Sequence, residues 1–115
     1  MTARFLPVAF AATFLAMGFT APAHAGDVPT FEISIKDHKF NPETIEVPAN
    51  TEIKLVVTNL DETAEEFESY ELNREKIIAG GGGKGVFYLD ALKPGSYPFF
   101  GDFNQATAKG TLIAK

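Results

Sequence analysis

The chain has 115 residues, no cysteine and a formal net charge of −5. The missing thiol excludes disulfides and cysteine nucleophiles, and the excess of acidic residues argues against nucleic acid or anionic lipid as a partner. A chain of this length is enough for one hydrophobic core, so a single domain is expected.

The N-terminal residues have the pattern of an export signal. Arg4 supplies a positive start, residues 5–20 are almost entirely apolar, and the Ala-His-Ala of residues 23–25 fits a small-residue cleavage site. A retained membrane anchor is the alternative, but the apolar run is short for a bilayer span. We expect a cleaved signal peptide at residues 1–25 and one domain at residues 26–115.

Cleavage would change the chemistry of the chain. Both methionines and His24 would leave with the signal, so that His38 would be the remaining imidazole. The 15 acidic residues would then face nine Lys and Arg residues, a formal charge of −6. This excess of carboxylates favours cations as ligands.

Period-two alternation predicts a β protein. Phe31, Ile33 and Ile35 alternate with polar residues, and further strands are predicted at 44–47, 51–58, 85–89, 97–100 and 111–114, with Pro- and Gly-containing turns between them. We expect an all-β sandwich of about seven strands. The residues predicted to face its core are Ile33, Ile35, Ile53, Leu55, Val57, Phe99 and Ile113.

The segment from 59 to 76 differs because acidic residues crowd around a few apolar ones. The spacing of Phe67, Tyr70 and Leu72 permits a helical turn, so a short helical segment around residues 62–76 is an option. Four glycines at 80–83 then interrupt the pattern and predict a flexible connection.

Four segments resemble the cupredoxin family, whose fold is a Greek-key β-sandwich. They are residues 40–49 (Phe-Asn-Pro-Glu-Thr-Ile-Glu-Val-Pro-Ala), 58–61 (Thr-Asn-Leu-Asp), 92–99 (Leu-Lys-Pro-Gly-Ser-Tyr-Pro-Phe) and 110–113 (Gly-Thr-Leu-Ile). The resemblance extends from about Phe31 to Lys115 and implies a cupredoxin-like domain.

The copper ligands of that family are missing. In copper-binding members the Asn-x-Asp segment is followed by a His ligand, where this chain has Glu-Glu-Phe at residues 65–67. The Cys-x-x-His-x-x-Met ligand loop falls on Gly101, Asn104 and Thr107. Because a type 1 copper site needs a thiolate and two imidazoles, electron transfer of that kind is excluded.

A narrower resemblance concerns residues 65–71 (Glu-Glu-Phe-Glu-Ser-Tyr-Glu) and 99–104 (Phe-Phe-Gly-Asp-Phe-Asn). They are similar to the cupredoxin-like proteins of bacterial ferrous-iron uptake systems. The resemblance implies a periplasmic protein that handles iron, with copper as the alternative ion. It also implies two partners, an inner-membrane iron permease and a second periplasmic metal-binding protein.

Clustered carboxylates are candidate ligands, because Asp and Glu are hard oxygen donors that suit iron, manganese or calcium. Glu66 and Glu68 flank Phe67, which we expect to anchor this segment in the core, and the resemblance places His38 near the ligand end. The predicted metal site comprises His38, Glu65, Glu66, Glu68 and Asp102. The alternatives are a solvated acidic face, a hydrogen-bonded His and a turn-capping Asp.

Three functions follow from these patterns. We favour a periplasmic metal-binding component of a ferrous-iron uptake system, acting as a binding protein, with assistance of Fe(II) oxidation as an open role. The alternatives are an interaction module that docks on a permease or periplasmic partner without metal, and a periplasmic Cu(II) carrier. Hydrolysis is not expected, since the single His that remains after cleavage and the absence of Cys leave no nucleophile arrangement.

Overall fold

The computed structural model describes Thr2 and residues 27–115, so the predicted signal segment lies, Thr2 apart, outside the described residues. Within residues 27–115, no helix is long and apolar enough to span a membrane. The described part contains nine strands, against the seven or so expected: β1 (Thr30–Lys36), β2 (Lys39–Asn41), β3 (Thr44–Val47), β4 (Ile53–Asn59), β5 (Glu65–Ser69), β6 (Arg74–Ile78), β7 (Gly83–Leu89), β8 (Gly95–Gly101) and β9 (Lys109–Ala114).

The strands form two mixed sheets. One has the order β2-β1-β4-β7 and the other the order β3-β9-β8-β5-β6. The β1–β4 and β3–β9 pairs are parallel, and the remaining pairs are antiparallel. Because each sheet contributes one apolar face, the two pack around a single core, and the predicted all-β sandwich is confirmed.

Aromatic rings fill the centre of this core. Phe67 is fully buried, and its ring centroid lies 4.9 Å from that of Phe87 and 5.3 Å from that of Phe99. Phe40 approaches Phe99 edge-on at 4.9 Å. Burying an aromatic side chain contributes roughly 1.5–3 kcal/mol. The predicted anchoring of the acidic segment through Phe67 is therefore confirmed, and it fixes the position of β5.

Six of the seven predicted core residues face inward, and Ile113 does not. Successive side chains of a strand point to opposite faces, and in β9 Leu112 and Ala114 are buried while Ile113 is only partly buried. The error arises because residues 111–114 lack polar alternation, so that the sequence does not define which face is apolar.

The optional helix around residues 62–76 is wrong, because this segment forms a β-hairpin. β5 and β6 pair in an antiparallel register that places Phe67 opposite Lys76. Burial in β5 alternates along the strand, with Glu65, Phe67 and Ser69 inward. The Ser69 hydroxyl donates to the carbonyl of Pro98 at 2.7 Å and accepts the N–H of Leu72 at 3.1 Å, which stabilises the turn after β5.

A carboxylate holds the tight turn between β1 and β2. Asp37 and His38 both have positive φ angles, 53° and 58°, where non-glycine residues are uncommon. The Asp61 carboxylate accepts the N–H groups of both residues, at 2.7 and 2.9 Å. It thereby offsets the unfavourable backbone conformation and ties the β1–β2 turn to the loop after β4.

The glycine run at 80–83 forms a hydrogen-bonded turn at the same end of the sandwich. Gly81 and Gly82 have positive φ angles of 72° and 95°, which glycine adopts readily. Their N–H groups donate to the carbonyls of Asp61 and Asn59, both at 2.7 Å. The predicted flexible connection is therefore attached to the β4–β5 loop.

Candidate metal-binding site

Three carboxylates meet on the outer surface of the five-stranded sheet. Glu66 and Glu68 are two positions apart in β5 and share its outward face. Phe67 pairs with Gly101 in β8, so Asp102, the next residue, lies beside the outer face of β5. One carboxylate oxygen from each of Glu66, Glu68 and Asp102 lies within 4.8 Å of the others, and all three residues are partly buried. We call these three residues the acidic triad.

Like charges and burial act together on the triad. Burial is the main reason that the pKa of Glu66 is raised above its ordinary value, and the charges of Glu75, Asp102 and Glu68 raise it further. A neutral donor reaches the triad from the Gln105 amide, which donates to Asp102 at 2.7 Å. A bound cation would relieve the repulsion among these carboxylates.

Glu65, which points the other way from β5, has different surroundings. It is 1% exposed, and its carboxylate accepts the Phe103 N–H at 2.9 Å, the Asn104 side-chain amide at 2.6 Å and the Glu66 N–H at 3.1 Å. All three partners are N–H donors, and the two carboxylate oxygens accept from them. The side chain therefore joins the start of β5 to the 3₁₀ turn at Asp102–Asn104.

The cupredoxin resemblance places copper ligands in the loop that begins at Gly101. The side chains present there do not fit type 1 copper. Gly101 offers no thiolate, and a Cβ there would lie 2.6 Å from the Glu65 carboxyl carbon. Asn104 offers an amide whose N–H₂ group donates to Glu65. The carboxylate is thus engaged by protein donors and leaves no room for a side chain at residue 101.

His38 lies at another position, against Asp61. Its Nδ1 is 3.6 Å from the Asp61 carboxylate, and its side chain is 48% exposed. The His38 N–H bond is the largest cause of a lowered pKa for Asp61, burial opposes it, and the Asp37 N–H and the charges of His38 and Lys36 contribute further. The structure groups neither His38 nor Glu65 with the acidic triad, and their roles as ligands stay predictions.

Asn59 is a structural residue that the sequence argument did not single out. It is fully buried; its amide donates to the carbonyls of Thr63 and Ile78, and its oxygen accepts the Asp61 N–H. The signal was present, since an Asn where a strand ends often accepts the backbone N–H two residues later, which forms an Asx-turn. Asn59 shapes the loop that carries Asp61.

An open groove of about 540 Å³ lies beside the triad. It is lined by Tyr70 and Phe100, whose ring centroids are 5.5 Å apart, together with Gln105 and Lys109. Tyr70 is 73% exposed, and Phe100 pairs with Glu68 in the sheet. Aromatic and acidic side chains are therefore adjacent on this face, with Tyr70 the most exposed of them.

Residues 9–114 match the cupredoxin-like domain family, which is most of the chain, and the protein belongs to that family. Among curated proteins, it is similar to the uncharacterized protein RP394 of Rickettsia prowazekii (strain Madrid E), with 51% identity over 82 residues. The match covers 71% of this chain and 65% of RP394, so the chain spans less than two thirds of that relative.

Solved structures share the fold at low identity. The metal-binding domain of a Cu(I)-exporting P-type ATPase from Streptococcus pneumoniae D39, determined with Cu(I), has a TM-score of 0.66 at 12% identity over 75% of this chain and 84% of its own. Amicyanin from Paracoccus versutus has a TM-score of 0.57 at 12% identity, over 78% and 83%. Auracyanin from Roseiflexus castenholzii has a TM-score of 0.61 at 15% identity, over 78% and 99%. These likenesses establish the cupredoxin-like sandwich.

Proposed function

We propose that this protein is a periplasmic metal-binding component of a ferrous-iron uptake system and that the acidic triad holds the ion. One observation carries the proposal: Glu66, Glu68 and Asp102 each bring a carboxylate oxygen within 4.8 Å of the others. Glu66 and Glu68 belong to β5, whereas Asp102 follows β8. The fold, and not proximity in the sequence, therefore brings the three carboxylates together. A multidentate oxygen site is what hard cations require.

The donor chemistry favours iron over a soft ion. Three anionic oxygens stabilise a trivalent ion more than a divalent one, because the Coulomb energy grows with the charge of the cation. Such a site would bind Fe(III) more tightly than Fe(II) and so make Fe(II) easier to oxidise. Oxidation would in addition need an electron acceptor, and binding is therefore the activity that we assign.

The cellular setting of the proposal comes from the sequence. The export signal predicted at residues 1–25 and the resemblance at 65–71 and 99–104 support a periplasmic protein beside an iron permease and a second metal-binding protein. Copper is the alternative ion, since structural relatives of this fold include a domain determined with Cu(I).

The test is a thermal-shift series with Fe(III), supplied as a weak chelate, Mn(II) and Cu(II). Ion binding to the native state should raise the melting temperature of the wild type, with Fe(III) giving the largest shift. Glu66→Gln and Asp102→Asn should lose most of the shift. Glu32→Gln, which neutralises an exposed carboxylate in β1, should retain it. Equal shifts in all four proteins would refute the triad as the site, and a largest shift with Cu(II) would refute iron.

The groove supports a second candidate, an interaction module. Tyr70 and Phe100 offer an aromatic surface next to Glu68, and such a surface suits a partner with apolar and basic side chains. Docking through exposed charges weakens steeply with ionic strength, whereas binding of a chelated ion depends on pH. An absence of ion-induced shifts, together with salt-sensitive capture of a periplasmic partner, would favour this candidate over the first.

A further inference from the structure

The buried Glu65 carboxylate connects the start of β5 to a turn that lies 38 to 39 residues later in the chain. Its oxygens accept from the N–H of Phe103 and the side chain of Asn104, which are 38 and 39 residues away. Asp102 is the first residue of the same short 3₁₀ turn. The position of one triad carboxylate therefore depends on a turn that Glu65 holds.

The surroundings of Glu65 are shaped to accept it. Gly101 has no side chain, and a Cβ there would lie 2.6 Å from the Glu65 carboxyl carbon and 2.8 Å from the Ala108 Cβ. The 3₁₀ turn itself has no side-chain cap and no buried residue. Its local hydrogen bonds, from the Gln105 amide to Asp102 and from the Ala108 N–H to the Asn104 carbonyl, fix its shape without attaching it to β5. The hydrogen bonds to Glu65 make that attachment.

We propose that the Glu65 carboxylate is an internal clasp that stands in place of a metal ion at this end of the sandwich. A metal centre would hold the β8–β9 loop through ligand bonds, whereas here a buried carboxylate group holds it by accepting N–H donors. The clasp positions Asp102 beside Glu66 and Glu68. This second part rests on the proposed cation site, while the clasp itself does not.

The test exchanges the donor and the acceptor of the hydrogen bond between Asn104 and Glu65. Asn104→Asp places a second carboxylate against Glu65 with little change of shape, and like charges at hydrogen-bond distance repel. Glu65→Gln/Asn104→Asp reverses the direction of the bond, since the Gln amide can donate to the Asp carboxylate while its oxygen accepts from Phe103. Ala106→Asp, at an exposed position in the same loop, controls for added charge.

Two measurements distinguish the role of Glu65 in holding the turn from its effect on the position of Asp102. Hydrogen exchange of the Phe103 amide is followed in metal-free protein, and Mn(II) affinity is followed by calorimetry. Asn104→Asp should accelerate Phe103 exchange and weaken Mn(II) binding, each by on the order of tenfold or more, the equivalent of losing about 1.4 kcal/mol. The double variant should recover both, and Ala106→Asp should change neither by more than about twofold.

The experiment distinguishes a failure of the Glu65 clasp from a failure of the proposed cation site. Unchanged Phe103 exchange in Asn104→Asp would overturn the clasp, and accelerated exchange with unchanged Mn(II) affinity would overturn its positioning of Asp102. If the wild type binds no ion, the cation site is refuted. The hydrogen exchange of Phe103 in the three variants would still show whether Glu65 holds the turn. If Asn104→Asp does not fold, recovery of a folded double variant supports the clasp, and a double variant that also fails overturns it.

Discussion

Glu65 and Glu66 are consecutive residues of β5, yet their carboxylates lie in opposite environments. Glu65 points into the sandwich and accepts three N–H donors. Glu66 points outward and faces Glu68 and Asp102, and its pKa is raised by burial first and then by the charges of Glu75, Asp102 and Glu68. The comparison shows that the surrounding groups decide what a carboxylate does: donors make it a structural element, and other carboxylates make it a candidate ligand.

Asp61 belongs with Glu65 in this comparison. It accepts backbone N–H groups from two residues of the β1–β2 turn, and its pKa is lowered. The ionised form is therefore favoured at Asp61 and disfavoured at Glu66. The two acids should respond in opposite ways when their charge is removed.

The largest expected effect is that of Asp61→Asn. The amide can accept only one of the two turn N–H bonds in place of the carboxylate, so the variant should be less stable by about 1–3 kcal/mol. Urea denaturation at neutral pH measures this loss, and Asp90→Asn, at an exposed position, is the control. Equal stability of the two variants would place Asp61 among ordinary surface acids.

The pH dependence of the Asp61 effect has a defined sign. Because the folded pKa lies below the ordinary value of 3.8, the stabilisation is fully present above that value and is lost as the pH falls through the folded pKa. The difference between wild type and Asp61→Asn should therefore shrink below pH 3.8.

Glu66→Gln should give a smaller effect of the opposite sign. Its folded pKa is raised, so the ionised carboxylate destabilises the metal-free protein, and this penalty is relieved as the pH falls through the folded pKa. At neutral pH the variant should melt slightly above the wild type without metal and below it with a saturating cation. A lower melting temperature in both conditions would contradict the repulsion within the triad.

His38→Asn should have the smallest effect. Asn tolerates the left-handed conformation that His38 adopts, and its side chain leaves the backbone bonds to Asp61 intact. We expect a change in stability within about 0.5 kcal/mol and an unchanged cation-induced thermal shift. A lost thermal shift would make His38 a ligand, as the sequence predicted.

Much of the fold was predictable from the sequence. Period-two alternation identified β1 and β4, and the inward positions of Ile33 and Leu55 followed from it. The β5–β6 hairpin was not predictable, because the spacing of Phe67, Tyr70 and Leu72 is compatible with a helical turn as well. Strand pairing across the sheet decided between the two.

Composition by itself excluded a type 1 copper centre, because the chain contains no cysteine, and it located a surplus of acids in residues 59–76. The tertiary structure alone decided which of those acids lie together and that Asp102, from a different part of the chain, joins them. Pairing of Phe67 with Gly101 sets the register of β5 against β8, and this register brings Asp102 to Glu66. A shift of one residue would exchange Glu65 and Glu66 between the two faces, because side-chain direction alternates along a strand.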